Sequence, residues 1–159
     1  MLLGLGLVGT TQLWSLASQR ARERQLLWVG NQFTRALKSY YQQSPGVRQY
    51  PLHLEELLDD KRFPMSRHHL RQLYTDPITR TEGWGLILNA EGRIGGVRSL
   101  SEETPLKQAE FPLKWEDFNG RKSYAEWRFL ADATLMEAKP APAIPGAGAS
   151  AAAKPGTRP

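Results

Sequence analysis

The sequence predicts an α+β protein in which one long N-terminal helix lies against a small antiparallel β-sheet. Three observations predict it. From Leu26 onward the apolar positions are Leu26, Val29, Gly30, Phe33, Ala36, Leu37 and Tyr40, the spacing of a single helical face, while Asn31, Gln32, Arg35 and Lys38 fall on the other faces. Between Gly83 and Ser99 two short runs flank Asn89-Ala90-Glu91-Gly92, which has the composition of a hairpin turn. In Ser123 to Leu130, Ala125, Trp127 and Phe129 alternate with Glu126 and Arg128 at the period of a strand.

The helix is expected to run from Met1 to Tyr41. Residues 1–17 carry no charged side chain. At 1.5 Å per residue a helix of that length covers about 25 Å, short of a hydrocarbon core of about 30 Å. It also contains Gly4, Gly6, Gly9, Thr10, Thr11 and Gln12, which makes it a weak spanning segment as written. It has neither the basic start nor the small-residue cleavage site of a signal peptide. Three readings stay open: a membrane anchor truncated at its start, a complete but weak signal sequence or anchor, and an ordinary buried helix. Continuation of the helical pattern through Gln19-Arg20-Ala21-Arg22-Glu23-Arg24 favours the first. Those arginines form either a solvated helix surface or a set of contacts to lipid phosphates. Ser44-Pro45-Gly46 ends the helix, because proline supplies no amide proton and clashes with the preceding turn.

Three segments are therefore expected: residues 1–24 as an apolar anchor helix with a charged collar, 25–131 as a globular head, and 132–159 as a disordered tail. The tail is dominated by Ala, Pro and Gly from Lys139 on and has too little apolar side chain to offset the entropy of ordering. In the 159 residues, 21 Lys and Arg face 16 Asp and Glu, a net charge of +5 that suits anionic lipid or an acidic partner and is too mild to argue for nucleic acid. The absence of cysteine excludes disulfides, thiolate metal sites and cysteine nucleophiles.

Within the head, Pro51 opens a short helix with Leu54, Leu57 and Leu58 on one edge and Glu55, Glu56, Asp59 and Asp60 on the other. Those carboxylates read as a solvated face. Ser66 is expected to cap a further short helix through Tyr74, with Leu70 and Leu73 inward and Arg67 and Arg71 outward. His68 and His69 are adjacent, so on a helix they diverge by about 100° and cannot grip one metal ion together. Asp76-Pro77 reads as a turn. Trp84, Leu86 and Leu88 are expected on one face of the first strand, Arg93–Ser99 to form the second strand, and residues 101–118 to form a loop. The expected helix-to-sheet core is Leu26, Val29, Phe33, Leu37, Tyr40, Trp84, Leu86, Leu88, Trp127 and Phe129. The residues expected to serve membrane and helix packing are Leu2, Leu3, Leu5, Leu7, Val8, Leu13 and Trp14.

The stretches ERQLLWVGNQFTRALKSYY (23–41), YPLHLEELLDDKRFP (50–64), LRQLYTDPIT (70–79) and GWGLILNAEGRIGGVRSLSEETPLK (83–107) together resemble the type IV pilin-like fold, and more specifically the pseudopilins of type II secretion. The order of helix, Tyr-Pro, leucine-rich turn and Asp-Pro carries the resemblance. Two features of the family lack a counterpart: the basic leader with its glycine, phenylalanine and early helical glutamate, and an Asp/Asn-rich calcium loop. The resemblance implies a structural subunit, not an enzyme, with no cofactor and no metal. It implies a single-pass anchor in the bacterial inner membrane, a periplasmic head, and as partners other pilin-like subunits, secretion-system membrane proteins and the bilayer. A membrane-anchored periplasmic binding module without a filament role is the alternative. Enzyme chemistry finds no Ser/His/Asp order or cofactor loop in the sequence.

Overall fold

The computed structural model describes residues 7–137, with side chains described from Trp14 to Leu135. Its first element, α1 (Leu7–Gln42), is one α-helix of 36 residues that passes through the arginine collar without interruption. At 1.5 Å per residue it is about 54 Å long. No proline occurs before Pro45, and Ser44 closes the last turn by donating its hydroxyl to the Tyr40 carbonyl at 3.1 Å. Gly46 then takes a φ of +84°, a left-handed conformation that glycine adopts at no steric cost.

Three strands, β1 (Gly85–Leu88), β2 (Ile94–Arg98) and β3 (Phe129–Leu130), form an antiparallel sheet in the order β1-β2-β3. The β1-β2 turn is built as its sequence implies. Asn89 Oδ1 accepts from the Glu91 and Arg93 amides at 3.0 and 2.9 Å, and Gly92 has a φ of +74°. The sheet covers the face of α1 made by Leu26, Val29, Phe33, Ala36, Leu37 and Tyr40, each at most 1% exposed. Contact is close enough that a Cβ on Gly30 would stand 2.3 Å from the Phe129 ring, so a glycine is what lets β3 approach the helix.

Trp84, Trp127 and Phe129 are also buried in this core. Leu86 and Leu88 are half-buried and pack against its edge. Ile87, between them, is fully buried on the opposite face of β1. There it is paired with Gly96, which Leu130 overhangs, while Leu135 closes over Gly95. The sheet thus has apolar cover on both faces, and simple alternation understates Ile87. A bulge between Ile87 and Leu88 leaves Gly95 outside the pairing and allows Ile94 and Val97, three residues apart, both to face the core.

Four expectations are corrected. The third strand is only two residues long. Tyr124–Glu126 is a 3-10 turn, because its amides are taken by the 101–103 loop: Tyr124 N donates to Glu103 O at 3.2 Å and Ala125 N to Ser101 O at 2.9 Å. Residues 66–74 form no helix. The Asp60 amide bonds Arg67 O, the His69 and Leu70 amides both bond Leu57 O, and Ser66 gives its hydroxyl to the Asp59 carboxylate instead of capping. Leu70 is buried, but Leu73 remains 37% exposed. The helix after Pro51 is a single 3-10 turn, Leu54–Leu57.

The fourth correction concerns residues 101–118. Leu113–Phe118 folds as 3-10 turns with a kink at Trp115. Phe118 stacks on Trp127 with ring centres 5.4 Å apart and meets Phe129 edge-on at 5.2 Å. Such offset and edge contacts add about 0.5–1.5 kcal/mol each beyond area burial. Of the segment 132–159, residues 132–137 are described. Ala133–Glu137 makes a 3-10 turn that seats Leu135 against the sheet. Residues 138–159 lie outside the described residues.

Candidate functional site

The head does not cover α1 along its length. Residues 14–18 are all exposed, Trp14 at 78% and Leu16 at 42%, and the first buried residue among the described side chains of α1 is Glu23. A stretch of helix therefore projects N-terminal to the head. Of the residues expected to serve membrane and helix packing, Trp14 lies on this stretch. Leu7, Val8 and Leu13 fall within the helix without described side chains, and Leu2, Leu3 and Leu5 lie outside the described residues. Among the described residues no helix is long and apolar enough to cross a membrane.

A polar clasp marks where projection ends. Glu23 is the only acidic residue before Glu55, and it lies three residues before Leu26 on the core-facing side. Its side chain is 5% exposed. Oε1 accepts from the Leu106 amide at 2.5 Å, the Lys107 amide at 3.2 Å and the Tyr124 hydroxyl at 2.9 Å. Gln19, one turn earlier, donates Nε2 to Thr104 O at 3.2 Å and to the Tyr124 hydroxyl at 3.1 Å. Burial, with Glu23 beside it, pushes the Tyr124 phenol up to about 12 despite the Gln19 contact. Charge-assisted bonds of this kind are stronger than neutral ones, so the clasp pins the 103–108 loop to the helix. E23Q is expected to weaken that attachment by about 1–2 kcal/mol. Hydrogen exchange at the Leu106 and Lys107 amides should then speed about tenfold while the sheet amides stay protected.

A second clasp holds the other end of α1. Arg62 binds Asp60 through Nη2 at 2.7 Å and Nε at 2.8 Å, and reaches Tyr40 O at 3.0 Å and Ser44 Oγ at 2.8 Å. Its guanidinium lies 3.5 Å above the Tyr40 ring. His69 spans Ser39 and Asp60, with Nδ1 2.9 Å from Ser39 Oγ and Nε2 3.1 Å from Asp60 Oδ2. Glu56 takes the Tyr40 hydroxyl on Oε2, and its Oε1 caps the Leu54–Leu57 turn by accepting the Leu52 and His53 amides at 3.0 Å. Burial and then Glu56 raise the Tyr40 phenol far above its ordinary value. Burial acts to raise the Asp60 carboxyl, but hydrogen bonds from Arg62 and His69 outweigh it and bring it to about 2.

Ser39, His69 and Asp60 therefore do meet, although no order in the sequence announced it. As chemistry the arrangement is poorly placed for nucleophilic attack. Ser39 Oγ also accepts from Gln43 Nε2 at 2.8 Å, and it belongs to the interior of a regular helix, whose own amide protons are spent on its turns. The adjoining recess, about 590 Å³, is lined by Glu55, Glu56, Leu58, Asp59, Asp60, Lys61 and Arg62, and includes neither Ser39 nor His69. The cluster is best understood as a satisfied polar joint between the helix end and the 50–70 segment. Comparison with family models, with curated proteins and with solved structures finds no match to this chain.

Proposed function

We propose that the protein is a pseudopilin-like structural subunit of a type II secretion or type IV pilus-like assembly of the bacterial inner membrane, without enzymatic activity. The observation that supports this most is the uninterrupted helix Leu7–Gln42, clasped by a small sheet over its C-terminal half and bare over residues 14–18. A rod of this kind has two jobs. Its apolar beginning, residues 1–17, enters the bilayer and packs against the same region of other pilin-like subunits. Its amphipathic half carries the head, which faces the periplasm. Function is mechanical: addition of subunits, assisted by secretion-system membrane proteins, displaces a substrate outward. Resemblance of the helix, Tyr-Pro and Asp-Pro segments to pseudopilins supports the same reading.

The chain has no cysteine, so a single introduced one reports alone. With A17C, crosslinking by a short bis-maleimide in membranes of cells that make the full assembly is expected to give a ladder of oligomers. E82C, on the exposed loop before β1, should give none or only dimers. A ladder absent from A17C, with the protein present in the membrane fraction, contradicts the filament role.

A further inference from the structure

We infer that the collar Arg20-Arg22-Arg24, with Trp14, is a docking surface for the anionic phospholipid headgroups of the membrane that the apolar start enters. The inference rests on the anchor reading and adds to it a chemical preference among lipids.

Among the described residues no carboxylate forms an ion pair with the collar. Glu23 is the only acid in the first 54 residues. Its single hydrogen-bonding oxygen is shared among two backbone amides and the Tyr124 hydroxyl, and it faces the head. Among the described residues, the carboxylates that pair with a cation are Asp60, Glu91 and Glu126, none of them with a collar arginine. Arg20 and Arg24 are exposed and one turn apart, on the same line of the helix. Arg22 lies on roughly the opposite side, half-buried, with a buried Nε that finds no hydrogen-bond partner. The three guanidinium groups thus ring the rod where the head begins. They come at the end of an uncharged run, so a rod inserted by that run holds its arginines at the level of the phosphates.

Trp14 supplies the matching apolar mark. It is 78% exposed and precedes Arg20 by six residues, about 9 Å along the axis. Exposed tryptophan is the residue enriched at membrane–water interfaces, and here it lies on the apolar side of the arginines. A guanidinium binds a phosphate through paired N–H donors, which a solvated helix surface does not use. Along α1 itself the only acid is Glu23, so the helix is basic at this point. Glu102 and Glu103, exposed on the loop that Gln19 reaches through Thr104, stand at the same end of the head but form no ion pair with a collar arginine among the described residues.

The test uses the full chain and two vesicle preparations, phosphatidylcholine alone and equal parts phosphatidylcholine and phosphatidylglycerol. The wild-type chain is expected to bind the anionic vesicles about a hundredfold more tightly at low salt, roughly fivefold for each arginine, with the preference falling as salt is raised. R20Q/R22Q/R24Q should lose that preference and keep its binding to phosphatidylcholine. R20Q/R24Q, which changes exposed side chains alone, should lose most of it and guards against a folding defect at Arg22. R35Q/K38Q, on the head-bearing half, should keep it. Equal binding of the wild type to both vesicles overturns the lipid preference and leaves the anchor standing, whereas failure to bind either overturns both. A preference that survives R20Q/R24Q, or falls equally in R35Q/K38Q, also overturns the collar. Loss of self-association in R20Q/R24Q with vesicle preference intact would place a second copy there and overturn the lipid assignment.

Discussion

W127A is expected to cost about 3–5 kcal/mol, which for a small domain of typical stability leaves the folded state barely populated. Trp127 is fully buried, stacks on Phe118, and meets Phe111 and Tyr124 edge-on at 5.3 and 5.2 Å. Its loss empties the one place where the 101–118 segment, the Tyr124 turn and the sheet converge. Because Tyr124 also holds Glu23, the cavity should propagate to the 103–108 loop. Urea denaturation followed by circular dichroism reads the effect. A midpoint within error of wild type would show that the aromatic stack does not support the head. The more conservative W127F should retain over half of the lost stability, since a ring can still stack on Phe118.

D60N comes second, with an expected cost of about 3 kcal/mol at neutral pH, the usual penalty for leaving one member of a buried ion pair without its partner. Asp60 is 1% exposed, and among the described residues it is the only carboxylate that pairs with Arg62. The pH dependence follows from the direction of its shift. Its folded carboxyl titrates near 2, below an ordinary value of 3.8, so the unfolded chain binds the proton more readily. The stabilisation is therefore complete above about pH 4 and is lost as pH falls towards 2, amounting to about 2 kcal/mol over that interval. In D60N that part of the acid limb should be missing. Thermal melts of both proteins at pH 2, 3, 4 and 7 would check it. A wild-type stability unchanged from pH 4 to 2, or an identical acid limb in D60N, would remove Asp60 from its assigned place.

The rod was legible in the sequence because a helical period persists from Leu26 to Tyr40 and no proline or turn residue interrupts it before Ser44. The β1-β2 hairpin was legible for a similar reason, since Asn89 and Gly92 specify their turn through side-chain and backbone geometry alone. Long-range demands account for what the residues did not disclose. Segment 66–74 has a capping serine and helical leucines, yet its His69 and Leu70 amides go to Leu57 O and its Arg67 carbonyl accepts the Asp60 amide, and tertiary pairing overrode local propensity. In Ser123–Leu130 the alternation was correct in burial and wrong in pairing, because the amides of Tyr124 and Ala125 answer to the 101–103 loop. Both clasps were invisible as motifs, being contacts between residues as far apart as Glu23 and Tyr124. One signal for Glu23 was present: a lone acid on the apolar side of the helix, among arginines, needs an internal partner.

The projecting rod can be tested directly with spin labels, since a cysteine-free chain accepts them at chosen positions. Ala17 and Arg35 are both exposed, and stand on the same line of α1, five turns apart. Double electron–electron resonance on A17C/R35C in the full chain should give a single narrow distance near 27 Å, the rise of eighteen helical residues. A broad distribution, or a distance shorter by more than one turn, would mean that the helix bends or breaks at the arginine collar, and the head would then have no continuous shaft joining it to an assembly.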